Sequence, residues 1–229
     1  MSRVKELLKQ EDGNTALFLI GMIGILMIMF VFVFNLAQVF AVKEQANTTA
    51  QQASLAATSV LYNRVWEKIK DHSDVPAPVP LPVPVILESI EEKVDKRILD
   101  LNSNPRFSKF SGNEIRLEAI DQVVTEELEK PQGRIFLKPK IEAELPYALS
   151  EMEDAVRETI VANGGNTSEA KLFIKNNQIH VKASNTVEGT AYGKFFGDLK
   201  EKLFQESAGP EVKFLEKFPG YDGYETPIH

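Results

Sequence analysis

Residues 13–42, GNTALFLIGMIGILMIMFVFVFNLAQVFAV, run for thirty positions without a charge, and residues 16–34 are apolar apart from Gly21 and Gly24. At 1.5 Å of helical rise per residue these nineteen positions span about 28 Å, close to the roughly 30 Å hydrocarbon core of a bilayer. Thirteen of them are Leu, Ile, Val or Phe. On the insertion scale they favour the membrane by roughly 4 to 8 kcal/mol. A buried core helix seldom runs this long without a polar face, so the stretch reads as a transmembrane helix.

The rest of the chain reads as what this anchor carries. Residues 1–12 hold Arg3, Lys5 and Lys9 against Glu6, Glu11 and Asp12, so the whole net charge of −7 lies beyond the span. An acidic domain without a basic stripe argues against nucleic acid as partner. Cysteine is absent, which excludes disulfides, thiolate metal sites and cysteine nucleophiles. After Lys43 no further basic residue occurs until Arg64, and the positive-inside bias places residues 1–12 in the cytoplasm and the large domain outside. A cleaved signal peptide competes, with Val39-Phe40-Ala41 as its small-residue site. The apolar core exceeds the usual signal length of about 7–15 residues, which favours an uncleaved anchor.

From Ile25 to Val75 there is neither Gly nor Pro, so the spacing predicts one helix running on to about Lys70. Ala46, Ala50, Ala53 and Ala57 recur at steps of four, three and four, a small-residue seam for another helix. Leu55, Tyr62, Trp66 and Ile69 recur at seven, four and three, a bulky seam for packing the stalk on the chain's own domain.

The stretch FNLAQVFAVKEQANTTAQQASLAATS resembles the N-terminal segment of the TadE/TadG-like proteins of the tight-adherence (Flp) pilus assembly system. Gly13 opens the apolar helix, Asn35 stands where that family has an acidic residue, and Phe40 is the aromatic. Lys43-Glu44-Gln45 takes the polar cluster, and Gln52-Ala53-Ser54-Leu55-Ala56-Ala57 the Ala-rich motif. Members processed like type IV prepilins place Glu five residues after the cleaved Gly. Here that position is Phe18, which resembles the unprocessed members. The resemblance covers about residues 13–61 and implies a membrane-held, pilin-like subunit or assembly protein that contacts other pilus or secretion subunits.

Pro76, Pro78, Pro80, Pro82 and Pro84 alternate with apolar residues, a stiff extended spacer rather than a docking peptide. Beyond it, Ile86, Ile90, Val94, Ile98 and Leu101 mark one amphipathic helix, and Leu117, Ile120, Val124 and Leu128 a second over residues 113–130. Residues 134–145 alternate as a half-buried strand, interrupted by Pro139. Ser150-x-x-Glu153 reads as a capping box opening a helix to Ala162, closed by Asn163-Gly164-Gly165. Residues 170–175 and 178–183 flank Asn176-Asn177 as a hairpin. Phe195, Phe196, Leu199 and Leu203 suggest a helix, residues 211–216 a last strand, and residues 219–229 a mobile tail.

His72, His180 and His229 have no metal-ligand spacing, and HExxH, GxGxxG, Walker and GxSxG patterns are missing. Glu91-Glu92 and Glu126-Glu127 read as solvated helix faces. Asn47-Thr48-Thr49 and Asn166-Thr167-Ser168 match glycosylation sequons, meaningful only in a host that uses them.

The expectation is therefore an α+β protein. It comprises a cytoplasmic head (1–12), a single transmembrane helix (13–42), a helical stalk (43–74), a Pro-rich linker (75–85), an extracytoplasmic α+β domain with a short, mostly antiparallel sheet (86–218), and a tail (219–229). It has no catalytic residues, metal or cofactor. Its partners are the lipid bilayer and other pilus or secretion subunits. A membrane-anchored extracellular sensor or adhesin is the rival reading, and an anchored enzyme a more distant one.

Overall fold

A computed structural model describes residues 11–73, 88–188 and 200–229. The expected head, but for its last two residues, the Pro-rich linker and the Phe195, Phe196 and Leu199 positions lie outside the described residues. The fold is α+β: a long apolar N-terminal helix, further helices, then a four-stranded antiparallel sheet. Two compact units divide the chain, Met1–Gln45 with Asn185–Leu203, and Ala46–Ser184 with Phe204–His229.

Helix α1 runs without a break over Glu11–Ile69, as the absence of Gly and Pro beyond Gly24 requires. In the first unit its large side chains are exposed from Leu17 to Phe40. From Ala46 onward it supplies the core of the second unit, contributing Ala50, Ala53, Ala57, Leu61, Tyr62, Val65, Trp66 and Ile69.

Helix α2 (Ile90–Ser103) and helix α3 (Gly112–Glu129) each open with a capping box. The Glu92 N–H donates to Ser89 Oγ at 3.2 Å while the Ser89 N–H donates to Glu92 Oε2 at 3.0 Å. Glu114 and Ser111 repeat the exchange at 3.3 and 2.7 Å. Between these helices Asn104 Oδ1 accepts from the Arg106 N–H at 3.0 Å and starts a 3-10 turn, Pro105–Phe107.

The segment expected as an edge strand is instead a π-helical turn, Gly133–Leu137, leading into helix α4, Lys138–Ala162. Residues 135–145 fit a period of two, but the buried side chains Leu137, Ile141, Leu145, Ala148, Leu149, Met152, Val156 and Ile160 follow a helical period. Pro139 sits in the first turn, where a missing N–H costs nothing. Ser150 is therefore mid-helix and caps nothing. The close of α4 is as expected: Gly164 takes φ +65°, its N–H donates to the Val161 carbonyl at 2.9 Å, and the Gly165 N–H donates to Ile160 at 2.8 Å.

The hairpin is as the sequence suggests. Strands β1 (Asn166–Lys175) and β2 (Gln178–Glu188) meet at Asn176 and Asn177, whose φ of 52° and 57° suit a tight hairpin turn. Register pairs Leu172 with Val181 and Ile174 with Ile179, burying all four side chains. Strand β3 is Lys200–Glu211, and the sheet order is β3-β2-β1-β4. The expected helix at Leu203 is thus strand, and the expected strand over 211–216 is a 3-10 turn, Lys213–Lys217. Nor is the tail patternless: β4 (Glu225–Pro227) pairs with β1, the Ile228 N–H donates to the Ala170 carbonyl at 2.9 Å, and Ile228 is buried.

Candidate functional site

Residues 17–40 of α1 carry the first candidate surface. Phe18, Ile20, Ile25, Met27, Phe30 and Phe34 are all exposed along this charge-free run. Burying one such side chain is worth about 1.5–3 kcal/mol, so the run favours lipid or other helices over water. Among the described residues α1 is long and apolar enough to cross a membrane. Asn35 and Gln38 are its half-buried polar residues, one helical turn apart, and among the described residues the buried Oδ1 of Asn35 has no hydrogen-bond partner.

Residues 46–69 of α1 form the second surface. Ala46, Ala50, Ala53 and Ala57 are fully buried, and what fills their seam is the chain's own domain. Small residues meet small residues there. A Cβ on Gly209 of β3 would lie 2.5 Å from Thr58 Oγ1, and one on Gly165 would lie 3.1 Å from Thr49 Cγ2. The buried hydroxyls are satisfied within the helix, Thr58 Oγ1 donating to the Ser54 carbonyl and Ser54 Oγ to Gln51, both at 2.8 Å. Tyr62, Trp66 and Ile69 are buried in the same core. Tyr62 meets Phe214 edge-on at 5.7 Å, and Arg116 lies over Trp66 at 5.5 Å. Leu55 does not join them and is 47% exposed.

Charge closes this surface. Arg64 Nε donates to Glu144 Oε2 at 2.8 Å, and its Nη1 donates to Glu151 at 2.6 Å; Lys68 Nζ lies 2.9 Å from Glu144 Oε1. The ammonium of Lys68 and the guanidinium of Arg64 hold the Glu144 carboxyl below its ordinary range. A shallow depression lined by Asn63, Arg64, Glu67, Lys68, Glu144 and Glu151 is built from these pairs. Glu127, expected on a solvated face, is buried against Lys93 at 3.1 Å and Lys130 at 2.7 Å. Two cations compensate its desolvation.

Asp121 is a buried titratable group at the same core. It is buried, its Oδ1 accepts the Phe214 N–H at 3.2 Å, and among the described residues its Oδ2 has no hydrogen-bond partner. Burial pushes its carboxyl up to about 6, against the pull of the Phe214 and Lys213 backbone amides. Burial first, and then the charge of Asp121, push the Tyr62 phenol far above its ordinary value. Sequence reasoning passed over Asp121 and Glu144. For Glu144 a signal existed in Arg64 and Lys68, two cations four residues apart facing one acid.

Among the described residues no group of three or more His, Cys, Asp or Glu could hold a metal. His72 Nδ1 lies 3.3 Å from Lys140 Nζ, and His180 stacks on Phe173 at 4.9 Å with its Nδ1 3.3 Å from Glu206.

Residues 13–60 match the family model described as "Putative Flp pilus-assembly TadE/G-like". The N-terminal segment is thus similar to that family. The match covers the exposed apolar run and most of the buried Ala seam, and so includes both candidate surfaces of α1. No curated protein and no solved structure matches the chain.

Proposed function

We propose that the protein is a membrane-anchored, pilin-like minor subunit or assembly protein of a tight-adherence type pilus or related secretion machine. It acts by protein–protein contacts, with residues 1–12 cytoplasmic and the α+β domain extracytoplasmic. The carrying observation is the TadE/G-like match over residues 13–60, which falls on the apolar part of α1 and its continuation into the domain. The helix holds the subunit in the bilayer while its second half fixes the domain to it.

The Ala seam is occupied within the domain, so contacts with other subunits fall on the exposed run, where Asn35 offers a polar group to a neighbouring helix. Interhelical hydrogen bonds of this kind are worth about 0.6–2 kcal/mol in membranes. The test is site-directed crosslinking of the full chain in its own membranes. Met29→Cys is expected to crosslink to pilus or secretion subunits, and the buried Ala53→Cys is not. Absence of such partners above an unrelated single-pass control overturns the assembly reading, and ligand binding by the outer domain would then favour a sensor or adhesin. The mass of the mature chain tests the anchor: Met1 retained is expected, Asn14 as first residue would make this the anchor of a processed pilin, and Val42 as first residue overturns the anchor.

A further inference from the structure

The π-helical turn that replaces the expected strand carries an exposed pair, Ile135 at 64% and Phe136 at 44%. Such turns are uncommon and often mark functional positions. This one is held stiffly, because a Cβ on Gly133 would lie 1.9 Å from the Glu127 carbonyl oxygen, leaving room for glycine alone. Three cations flank the pair along the chain, and among the described residues none has a carboxylate partner. Arg134 Nη2 donates to the Glu129 carbonyl at 2.7 Å, Lys138 Nζ lies 5.5 Å over the Phe218 ring, and Lys140 Nζ faces His72 Nδ1. In a chain of net charge −7 this is a basic, apolar knob.

The complement stands on helix α2. Leu99 is 70% exposed, and it lines a depression with Glu88, Glu92, Asp95 and Lys96. Lys96 pairs with Glu88, and Glu92 Oε2 accepts only the Ser89 backbone N–H, so among the described residues neither Glu92 nor Asp95 has an ion-pair partner and negative charge remains in excess around an exposed leucine. The knob offers two exposed apolar side chains under excess positive charge, and the depression offers an exposed leucine under excess negative charge. Charged rims of opposite sign steer and orient such encounters, while the central apolar contact supplies most of the affinity.

We propose that the knob of one copy, Ile135 and Phe136 with Arg134, Lys138 and Lys140, docks in the Glu92–Asp95–Leu99 depression of a second copy of this chain. Each copy presents both halves, so the contact either pairs two copies reciprocally about a two-fold axis, as an isologous interface, or continues heterologously from copy to copy. It requires only two copies and does not depend on the pilus reading.

The chain has no native cysteine, so disulfide trapping is clean. Full-length chains carrying Phe136→Cys and Leu99→Cys are co-expressed and oxidised in their membranes, with Val161→Cys as an equally exposed control. The mixed Phe136–Leu99 product is expected at least several-fold above either self-product and above the control. Lys140→Asp should lower its yield several-fold, Asp95→Lys in the other copy should restore it, and added salt should weaken it because a Debye length of about 8 Å at physiological ionic strength shortens further. All these positions are exposed, and an unchanged melting temperature verifies that each variant is folded. A mixed product no greater than the control overturns the proposal, as does one indifferent to the charge swap. Trapping of Phe136→Cys on another membrane protein, with no product to Leu99→Cys, assigns the knob to a different subunit and also overturns it. Loss of pilus partners in the Met29→Cys experiment leaves this result untouched, so the two readings fail separately.

Discussion

The two halves of α1 are one helix with opposite relations to their surroundings. In residues 17–40 the helix is ringed by bulky Leu, Ile, Met and Phe side chains, and nearly all of them are exposed. In residues 46–58 it is rich in Ala, Ser and Thr, and those on one face are fully buried. Hydrophobicity alone would bury the first half and expose the second. The reversal teaches that side-chain size governs what comes close: a bare stripe of alanines admits the protein's own strand and turn to van der Waals distance, whereas the bulky half keeps its large apolar side chains exposed. The same sequence stretch, matched as one family segment, thus joins two environments.

Crossing substitutions between the halves break this comparison most sharply. Leu26→Arg in the exposed half is expected to cost about 3 kcal/mol of insertion at the helix centre. It should shift the chain from membrane to soluble or aggregated fractions while leaving the melting of the domain unchanged. Ala53→Leu in the buried half should do the reverse. Overpacking a fully enclosed alanine costs typically about 1–3 kcal/mol, read as a lower denaturation midpoint with membrane retention intact. If Ala53→Leu melts like the parent, the seam is not filled by the domain as described.

Next in size is the titration that faces the buried half. The Asp121 carboxyl sits at about 6 when folded, against 3.8 for an ordinary aspartate, so the folded state binds its proton more tightly. Its contribution is then fully present below about pH 4 and is lost as pH rises through 6. The shift corresponds to an order of 2–3 kcal/mol. The stability gap between the parent and Asp121→Asn should change by that order between pH 4 and pH 7.5, measured by chemical denaturation. A gap independent of pH would show that Asp121 titrates normally.

Much of α1 was legible because its signal is long: forty-odd residues without Gly or Pro leave one conformation. The β1–β2 hairpin was legible because Asn-Asn suits the left-handed turn it needs. Helix α4 was legible from Ser150 to Ala162 but not in its first part, since over its first eight residues and the turn before them, a period of two and a period of 3.6 share Leu137, Ile141 and Leu145. The C-terminal segment was not either, because Phe214, Leu215, Phe218 and Ile228 are buried at intervals that follow no period. At the site, the Ala stripe was visible but its occupant was not, as a helix and a glycine-bearing strand fit the same groove. Leu55 was misplaced for a geometric reason. It lies two residues from both Ala53 and Ala57, about 200° around the helix from the seam. Tyr62, although grouped with it, is covered from another side by Phe214 and Asp121.

Two smaller effects sharpen the contrast. Ser111→Ala removes the cap of α3 and leaves the Glu114 N–H without its side-chain acceptor, at an expected cost of about 1 kcal/mol. Leu55→Ser tests the outward face of the stalk. With nearly half its surface exposed, and Ala53 and Ala57 beside it fully buried, Leu55 should contribute little to folding. A change within about 0.5 kcal/mol is expected for a surface site of this kind, read as an unshifted denaturation midpoint. A loss comparable to that of Ala53→Leu would mean that the stalk packs on both faces. A neutral midpoint together with weaker recovery of partners would instead place Leu55 at a contact between subunits, extending the contact surface of α1 beyond residues 17–40.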